Sequence, residues 1–297
     1  MQAKPRPQQV MIPRVLHQVW IGPDHIPDWM EEYRRTLWEH HPTWQYRFWT
    51  DDDLLELVRE HYTWLLPIYE KCAIIQKADL GRYCVLHRHG GVYCDTDMYW
   101  RGSLDTVLGE SDELWLAHSP KTFPTDRENA HKVTNYLMAS PPGHPFWLSA
   151  LQEAGRRMEA QKWPWWALNQ SLRVTYTTGA YLLSSVAQQH PVRVFQEPLI
   201  LNLFCAQTEV QAEAVGVHNG GTSRTFGSSS WSGYVKLVKH ECKLRRAFGV
   251  RGNLCQFPHC SALLYGVLLV VLVVFGAVLG WWCGRWARWQ KEIHSRK

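Results

Sequence analysis

Two aspartates separated by one residue, Asp95 and Asp97, are the residues of this chain whose types and spacing best suit chemistry. They follow the apolar run Val92–Cys94, which predicts a short strand. Side chains of an extended chain alternate between its two faces, so both carboxylates are expected to point the same way. Together they could hold a hard divalent cation such as Mn²⁺ or Mg²⁺, which neutralises the charge of a departing diphosphate. Taken alone the pair is weak evidence, because surface turns often contain it.

The elements before this pair would place it in a cleft. Residues 71–89 predict a helix that ends at Gly90 and Gly91, and the strand that follows carries the two acids to its C-terminal end. In α/β proteins, ligands bind at that end of the strands. The local order of elements therefore favours a functional site over a surface turn.

The same alternation of strands and helices runs through most of the chain. The hydrophobic patterns predict strands over residues 14–21, 45–49, 113–118 and 191–195, and helices over residues 27–40, 145–161 and 178–190. This order predicts an α/β fold with a mainly parallel sheet.

Three consecutive acids, Asp51–Asp53, offer a second possible metal site. Thr50 before them is a good N-cap residue, and acids in the first turn of a helix interact favourably with the helix dipole. Helix capping is the simpler interpretation and the one that we favour.

Composition excludes some classes of function. The net charge is +5, and basic residues are scattered among acids until the C-terminal region, so nucleic acid is not an expected partner. The eight cysteines include no CxxC pair and give no zinc signature. Cys72, Cys84 and Cys94 lie in apolar surroundings, where small buried side chains are expected more than a disulfide.

An uncharged run near the C-terminus predicts a transmembrane helix, because it is long enough to cross the roughly 30 Å hydrocarbon core of a bilayer. Basic residues flank it on both sides and leave its orientation open. The N-terminus lacks the apolar segment of a secretory signal, which favours a cytosolic domain, whereas the sequon Asn169–Ser171 favours a luminal one. The expected segments are a disordered N-terminus at 1–12, a folded domain at 13–240, a juxtamembrane segment at 241–261, the membrane helix at 262–283 and a basic tail at 284–297.

Residues 77–98, KADLGRYCVLHRHGGVYCDTDM, resemble the sugar-binding DXD region of family 32 glycosyltransferases. The family pattern is roughly A-D-x-x-R-Y-x-x-L-x-x-x-G-G-x-Y-x-D-x-D. Residues 12–22, 44–53 and 134–147 are similar to the family's opening strand, second strand and a downstream block. The resemblance spans residues 12 to 231 in order.

This resemblance implies a GT-A, Rossmann-like fold and a retaining transfer of a hexose from a nucleotide sugar, with Mn²⁺ or Mg²⁺ as cofactor. It implies catalytic roles for Asp95 and Asp97, with Asp95 on the ribose and sugar of the donor and Asp97 as a metal ligand. His218 would be a further metal ligand. The segment 219–229 between it and Ser230-Trp231 is Gly- and Ser-rich, and either a mobile lid or a surface loop fits its composition.

The remaining donor-binding residues implied by the resemblance are Trp20, Asp79, Arg82, Tyr83 and Trp231. From the residues alone, Asp79 and Arg82 fit an ion pair within one helix equally well, since they are three positions apart. Trp20 lies in an apolar strand, where packing in the core is an alternative to lining a nucleotide pocket.

The branch of the family that this chain resembles most transfers mannose from GDP-mannose to inositol phosphoceramide. A membrane-associated acceptor agrees with the predicted membrane helix, and a Golgi or other endomembrane location is expected. Three alternatives stay open: a transferase that uses a UDP-sugar on a glycan acceptor, a non-catalytic membrane protein that binds nucleotide sugars, and an adaptor protein whose acids only cap helices.

Overall fold

A computed structural model of the protein describes residues 10–22, 26–119, 132–164, 167, 170–195, 200–202 and 214–218. All of these belong to one structural unit of the chain. Among the described helices, none is long and apolar enough to cross a bilayer. The predictions for Trp231, for the membrane segment 262–283 and for its flanks lie outside the described residues, and they stay predictions.

Strands and helices alternate along the described part of the chain, as the sequence predicts. The helices are α1 Asp28–His40, α2 Asp51–His61, α3 Leu66–Tyr69, α4 Ile74–His89, α5 Asp105–Leu108, α6 Pro145–Ala160, α7 Gln170–Thr177 and α8 Ala180–Val186, which continues as a 3-10 turn at Ala187–Gln189. The strands are β1 Val15–Val19, β2 Gln45–Trp49, β3 Gly91–Cys94, β4 Met98–Trp100, β5 Trp115–His118, β6 Val133–Ser140, β7 Arg193–Phe195, β8 Ile200–Asn202 and β9 Gly216–His218.

The main sheet has six strands in the order β2-β1-β3-β6-β5-β7. β1 runs parallel to β2 and β3, and β5 runs parallel to β7. Only β6 in this sheet is antiparallel to its neighbours, β3 and β5. The predicted α/β fold with a mainly parallel sheet is therefore confirmed. A second sheet, β4-β9-β8, begins directly after the DXD sequence.

The core lies on both faces of the main sheet, because neighbouring residues of a strand point to opposite faces. Tyr93 packs in a cluster formed with α2, α4, α6 and α8, whereas the adjacent Val92 packs in a cluster formed with α1, α5 and β4. Both residues are at most 1% exposed. The short strand β3 is thus buried on both faces, and the residues that follow it start from a rigid position.

The predicted strand at 45–49 is confirmed, and most other predicted elements differ by one to three residues at their ends. The predicted helix at 71–89 begins later, at Ile74, because residues 66–69 form a helix of their own before the chain turns. The predicted helix at 178–190 is shorter and ends in a 3-10 turn. The central strand β6 and helix α7 were not predicted.

Thr50 caps α2 as predicted. Its side chain accepts a hydrogen bond from the backbone N–H of Asp53 at 3.3 Å, and the Asp53 carboxylate accepts one from the backbone N–H of Thr50 at 2.8 Å. The interpretation of Asp51–Asp53 as helix-capping acids is confirmed. Cys72, Cys84 and Cys94 are free thiols, and Cys84 and Cys94 are buried, so the expectation of small buried side chains holds for those two.

Candidate functional site

The DXD sequence forms a turn at the C-terminal end of β3. The backbone N–H of Asp95 donates to the carbonyl of Tyr136 at 2.8 Å, and the N–H of Met98 donates back to the carbonyl of Asp95 at 3.3 Å. Because Thr96 and Asp97 are in the turn, the predicted alternation of faces along an extended chain is not what brings the acids together. The conclusion that both carboxylates reach one point holds, but its reason is the turn.

His218 reaches this turn from the other sheet. β9 pairs antiparallel with β4, and the register places His218 opposite Met98. The Nε2 atom of His218 lies 3.2 Å from Oδ1 of Asp97 and 3.6 Å from Oδ2 of Asp95. One possible ligand atom from each of the three residues lies within 4.8 Å of the others. The structure thus brings together Asp97 and His218, the two metal ligands implied by the sequence, and adds Asp95 to them.

The three residues fit a divalent cation. Asp97 is fully buried and His218 is 9% exposed, with its ring stacked on Tyr136 at a centroid distance of 4.2 Å. Nε2 of His218 faces the carboxylates of Asp97 and Asp95, and Nδ1 makes no hydrogen bond with any described residue, which is unusual for a buried imidazole. Two carboxylates and one imidazole suit Mn²⁺ better than Mg²⁺, because Mg²⁺ strongly prefers oxygen ligands.

The carboxylates also affect the charge of His218. Burial lowers the pKa of His218, but the charges of Asp97 and Asp95 outweigh burial and raise its pKa to about 9. At neutral pH the imidazole therefore carries a proton when no cation is bound. A metal ion would replace this proton, since a histidine ligand must be neutral.

The two oxygens of the Asp95 carboxylate have different surroundings. Oδ1 accepts hydrogen bonds from the hydroxyl of Tyr93 at 2.7 Å and from Nη1 of Arg82 at 3.0 Å, whereas Oδ2 is the oxygen that faces His218. The guanidinium of Arg82 also lies over the ring of Tyr93, 4.6 Å from its centroid. Asp95 is thus fixed through one oxygen, and the other is directed at the three-residue cluster.

Arg82 and Asp79 form the ion pair that was one of the two interpretations left open by the sequence, and their donor-binding role stays a prediction. Nη2 of Arg82 lies 3.6 Å from Oδ1 of Asp79, as expected for an ion pair within one helix. The same guanidinium reaches out of the helix to Asp95 and donates to the carbonyl of Asn135 at 2.9 Å. The pair is therefore part of the site and not only a feature of α4.

Asp79 is held by two residues that no sequence motif indicated. Its carboxylate accepts from Nδ2 of Asn135 at 2.8 Å and from Oγ1 of Thr178 at 2.8 Å. Burial raises the pKa of Asp79 to about 6, while the neighbouring Arg82 lowers it. The hydroxyl of Tyr83 donates to the carbonyl of Thr178 at 2.5 Å, so these side chains form one connected network.

The part of the chain that contains the DXD sequence is similar to known proteins. Residues 27–115 match the family described as glycosyltransferase sugar-binding region containing DXD motif. This region of the chain is similar to the DXD regions of glycosyltransferases. The resemblance inferred from the sequence is confirmed.

Two curated relatives illustrate the similarity of the DXD region and its surroundings. Mannosyl phosphorylinositol ceramide synthase SUR1 of Saccharomyces cerevisiae is 36% identical over 151 residues, which are 50% of this chain and 36% of that protein. Inositol phosphoceramide mannosyltransferase 3 of Schizosaccharomyces pombe is 29% identical over 180 residues, which are 60% of this chain and 46% of that protein. The chain thus spans less than half the length of either relative.

A solved structure, the PaToxG glycosyltransferase, superposes on the chain with a TM-score of 0.45 at 15% identity, over 61% of this chain and 70% of that one.

Trp20 lies one residue after β1 and is 6% exposed, and its backbone N–H donates to the carbonyl of Trp49 at 2.9 Å. Its burial fits both packing in the core and lining a nucleotide pocket, so its donor-binding role stays a prediction.

The residues that sequence reasoning missed are Tyr93, Asn135 and Thr178. Tyr93 could have been found from its position in β3, two residues before Asp95. Asn135 and Thr178 could be found only by knowing how β6 and the turn between α7 and α8 are placed.

Proposed function

We propose that the chain is a metal-dependent glycosyltransferase that transfers mannose from GDP-mannose to a membrane-associated acceptor such as inositol phosphoceramide. The observation that carries the proposal is the cluster of Asp95, Asp97 and His218 within a matched DXD region. The names of the relatives support mannose and a ceramide lipid. We assign residues 13–240 to a GT-A type domain that contains this site.

In this proposal Asp95, Asp97 and His218 hold Mn²⁺. When bound, the cation supplies positive charge against the diphosphate that leaves with the nucleotide. Arg82 holds Asp95 in place and adds a second positive charge at the site, where burial strengthens its interaction with donor oxygens.

Asp79 and Tyr83 are proposed to bind hydroxyls of the donor, as the family resemblance implies. Asn135 and Thr178 each occupy one acceptor position of the Asp79 carboxylate, and a carboxylate offers about four. Asp79 thus retains acceptor capacity for a sugar or ribose hydroxyl. Trp20 and Trp231 complete the proposed donor site, and we propose that the transfer retains the anomeric configuration.

The membrane helix at 262–283 has a role in the same proposal. A catalytic domain tethered to a bilayer meets lipid headgroups at high effective concentration, which favours a lipid acceptor. We propose a single-pass protein of the Golgi or another endomembrane compartment.

A transfer assay tests the proposal. The full-length protein in detergent micelles is incubated with Mn²⁺, inositol phosphoceramide and either GDP-mannose or a panel of UDP-sugars, and the lipid is analysed by mass spectrometry. We expect a lipid heavier by one hexose with GDP-mannose. The product should be absent with Asp97→Asn and present with Asp52→Asn, since Asp52 is an exposed acid in the first turn of α2. Product from a UDP-sugar alone would refute the choice of GDP-mannose, and absence of any donor turnover would refute the enzyme.

A further inference from the structure

Two adjacent polar residues, His17 and Gln18, are buried in β1 beside the strand that carries the DXD turn. They are 0% and 1% exposed. Neither has a role in the chemistry proposed above. A buried imidazole and a buried amide are costly unless hydrogen bonds satisfy them, so their partners indicate what they do.

The backbone pairing between β1 and β3 is short. It joins Leu16 to Val92 and His17 to Tyr93, and no further pair is formed between these strands. Side-chain hydrogen bonds from His17 and Gln18 connect the two strands beyond this backbone pairing, at both ends of β3. Nε2 of His17 lies 3.0 Å from the carbonyl of Gly90 at the start of β3, and Nε2 of Gln18 donates to the carbonyl of Asp95 at its end, at 3.2 Å.

The direction of each hydrogen bond follows from its other partner. Nε1 of Trp49 can only donate, so Nδ1 of His17 accepts from it at 3.1 Å, and Nε2 carries the proton that is donated to Gly90. The hydroxyl of Tyr46 donates to Oε1 of Gln18 at 2.9 Å and itself accepts from Nε of Arg34 at 3.1 Å. This fixes the amide of Gln18 with its nitrogen towards Asp95.

The carbonyl that Gln18 holds is part of the DXD turn. The same oxygen accepts the N–H of Met98 at 3.3 Å, which closes the turn that contains both acids. If the amide is removed, this oxygen loses its second donor inside the protein, and the turn is held less tightly. The positions of the Asp95 and Asp97 carboxylates relative to His218 depend on that turn.

We propose that Gln18 is a positioning residue of the metal centre, which sets the geometry of the two metal-binding carboxylates through the backbone of Asp95. His17 fixes the opposite end of β3 in the same way. The inference rests on the proposed function, because it assumes that Asp95, Asp97 and His218 bind Mn²⁺.

The test is a Mn²⁺ titration of the full-length protein in detergent micelles, by calorimetry and by electron paramagnetic resonance of the bound ion. Gln18→Met keeps the length of the side chain and removes the amide. We expect Mn²⁺ to bind about 10-fold more weakly to this variant, and the resonance spectrum of the bound ion to change. Gln18→Asn, whose amide is one methylene shorter, serves as a second variant if Gln18→Met does not fold.

A graded variant and a control separate positioning from stability. Tyr46→Phe removes the hydroxyl that orients the Gln18 amide and keeps the amide itself, so Mn²⁺ should bind more weakly than to the wild type, but with a smaller loss of affinity than in Gln18→Met. Leu151→Ala removes buried packing from α6 and should lower the melting temperature without changing Mn²⁺ affinity.

The outcomes distinguish this inference from the proposed function. Wild-type Mn²⁺ affinity in both folded Gln18 variants would overturn the positioning role and leave the metal site intact. Equal weakening in Leu151→Ala would also overturn it, since loss of stability would then explain the effect. Failure of the wild-type protein to bind Mn²⁺ would overturn the proposed metal site itself.

Discussion

Arg82 lies between the buried carboxylate of Asp79 and the partly buried carboxylate of Asp95, and its guanidinium pairs with both. The side chains of Arg82 and Asp79 are at most 8% exposed. Charges so far from water must be paired, and removal of one partner leaves another uncompensated. At the scale of residues, the site therefore depends on a charge balance as well as on its proposed metal ligands.

We expect Arg82→Met to lower the free energy of unfolding by about 3–5 kcal/mol, because it leaves the buried carboxylate of Asp79 without its cation. The matched control is Arg156→Met. Arg156 also contacts a carboxylate, Glu153, at 2.7 Å, but its side chain is 66% exposed, so its loss should cost less than about 1 kcal/mol. Urea denaturation of both variants measures the difference, and equal losses would contradict the account.

Thr178→Val tests the support of Asp79. The substitution keeps the shape of a fully buried side chain and removes the Oγ1 donor that lies 2.8 Å from Asp79. We expect the KM for the donor to rise about 10-fold with a smaller change in kcat, because an Asp79 that is less fixed binds donor hydroxyls less well. Steady-state kinetics measure this. A fall in kcat with unchanged KM would argue against a donor-binding role for Asp79.

At the scale of elements, β1 and β3 approach each other closely enough that Gly91 has no room for a side chain. A Cβ at Gly91 would lie 2.6 Å from the carbonyl oxygen of Val15 and 3.1 Å from Nε2 of His17, and the φ angle of Gly91 is +87°. The glycine thus permits both the backbone angle and the contact with β1 that positions the DXD turn.

We expect Gly91→Ala to destabilise the protein more than Gly143→Ala. Gly143 also has a positive φ angle, +71°, but a Cβ there would meet nothing within 4 Å. The control therefore reports the cost of the backbone angle alone, about 1–2 kcal/mol, and the excess in Gly91→Ala reports the contact with β1. Thermal unfolding of both variants measures the excess. Equal losses would mean that the strands can separate at no cost.

His17 should make stability depend on pH. Burial lowers the pKa of His17 from 6.5 to about 3, so the folded protein keeps it neutral while the unfolded chain takes up a proton below pH 6.5. The unfolded state then binds more protons, and the free energy of unfolding falls as the pH decreases from 6.5 towards 3. His17 contributes up to about 1.4 kcal/mol per pH unit to this slope.

The measurement is urea denaturation at pH 7.5, 6 and 5, comparing the wild type with His17→Gln. Other histidines, such as the buried His41 and the partly buried His87, have pKa values that are lowered by burial, and they contribute to both proteins alike. The slope should be smaller in the variant. Identical slopes would show that His17 is not kept neutral in the folded state.

Elements that depend on neighbouring residues could be predicted from the sequence, whereas elements that depend on contacts between distant residues could not. β2 and the capped start of α2 follow from neighbouring residues, and they were predicted. β6 was missed because most of its residues are buried without alternation, a pattern that does not distinguish strand from helix. The position of β6 in the sheet is determined by its pairing with β3 and β5, which are distant in the sequence. Local sequence patterns therefore could not place Asn135 beside Asp79.

At the scale of the whole molecule, the site combines parts that are far apart in the chain. Asp95 and Asp97 follow a strand of the main sheet, whereas His218 belongs to the second sheet, more than a hundred residues later. The family pattern implied this histidine, and the pairing of β4 with β9 explains how it reaches the turn. Long-range strand pairing thus assembles the cluster of Asp95, Asp97 and His218.

The membrane helix predicted at 262–283 is a property of the same scale and can be tested separately. We expect the full-length protein to stay with membranes after alkaline carbonate extraction. Val271→Arg combined with Val273→Arg should release it, because each arginine at the centre of a span costs about 2.5–3.5 kcal/mol on insertion. Substitution of the same two valines by leucine is the control. Extraction of the wild-type protein would contradict a membrane span.

The central claim is that a metal ion at Asp95, Asp97 and His218 drives turnover of a nucleotide sugar, and donor hydrolysis tests it most directly. Full-length protein is incubated with GDP-mannose in Mn²⁺, in EDTA and in EDTA followed by excess Mn²⁺, beside Asp97→Asn and Asp52→Asn. We predict release of GDP in Mn²⁺, its loss in EDTA and its return on adding Mn²⁺, with activity abolished in Asp97→Asn and kept in Asp52→Asn. Turnover that persists in EDTA or in Asp97→Asn would contradict the claim.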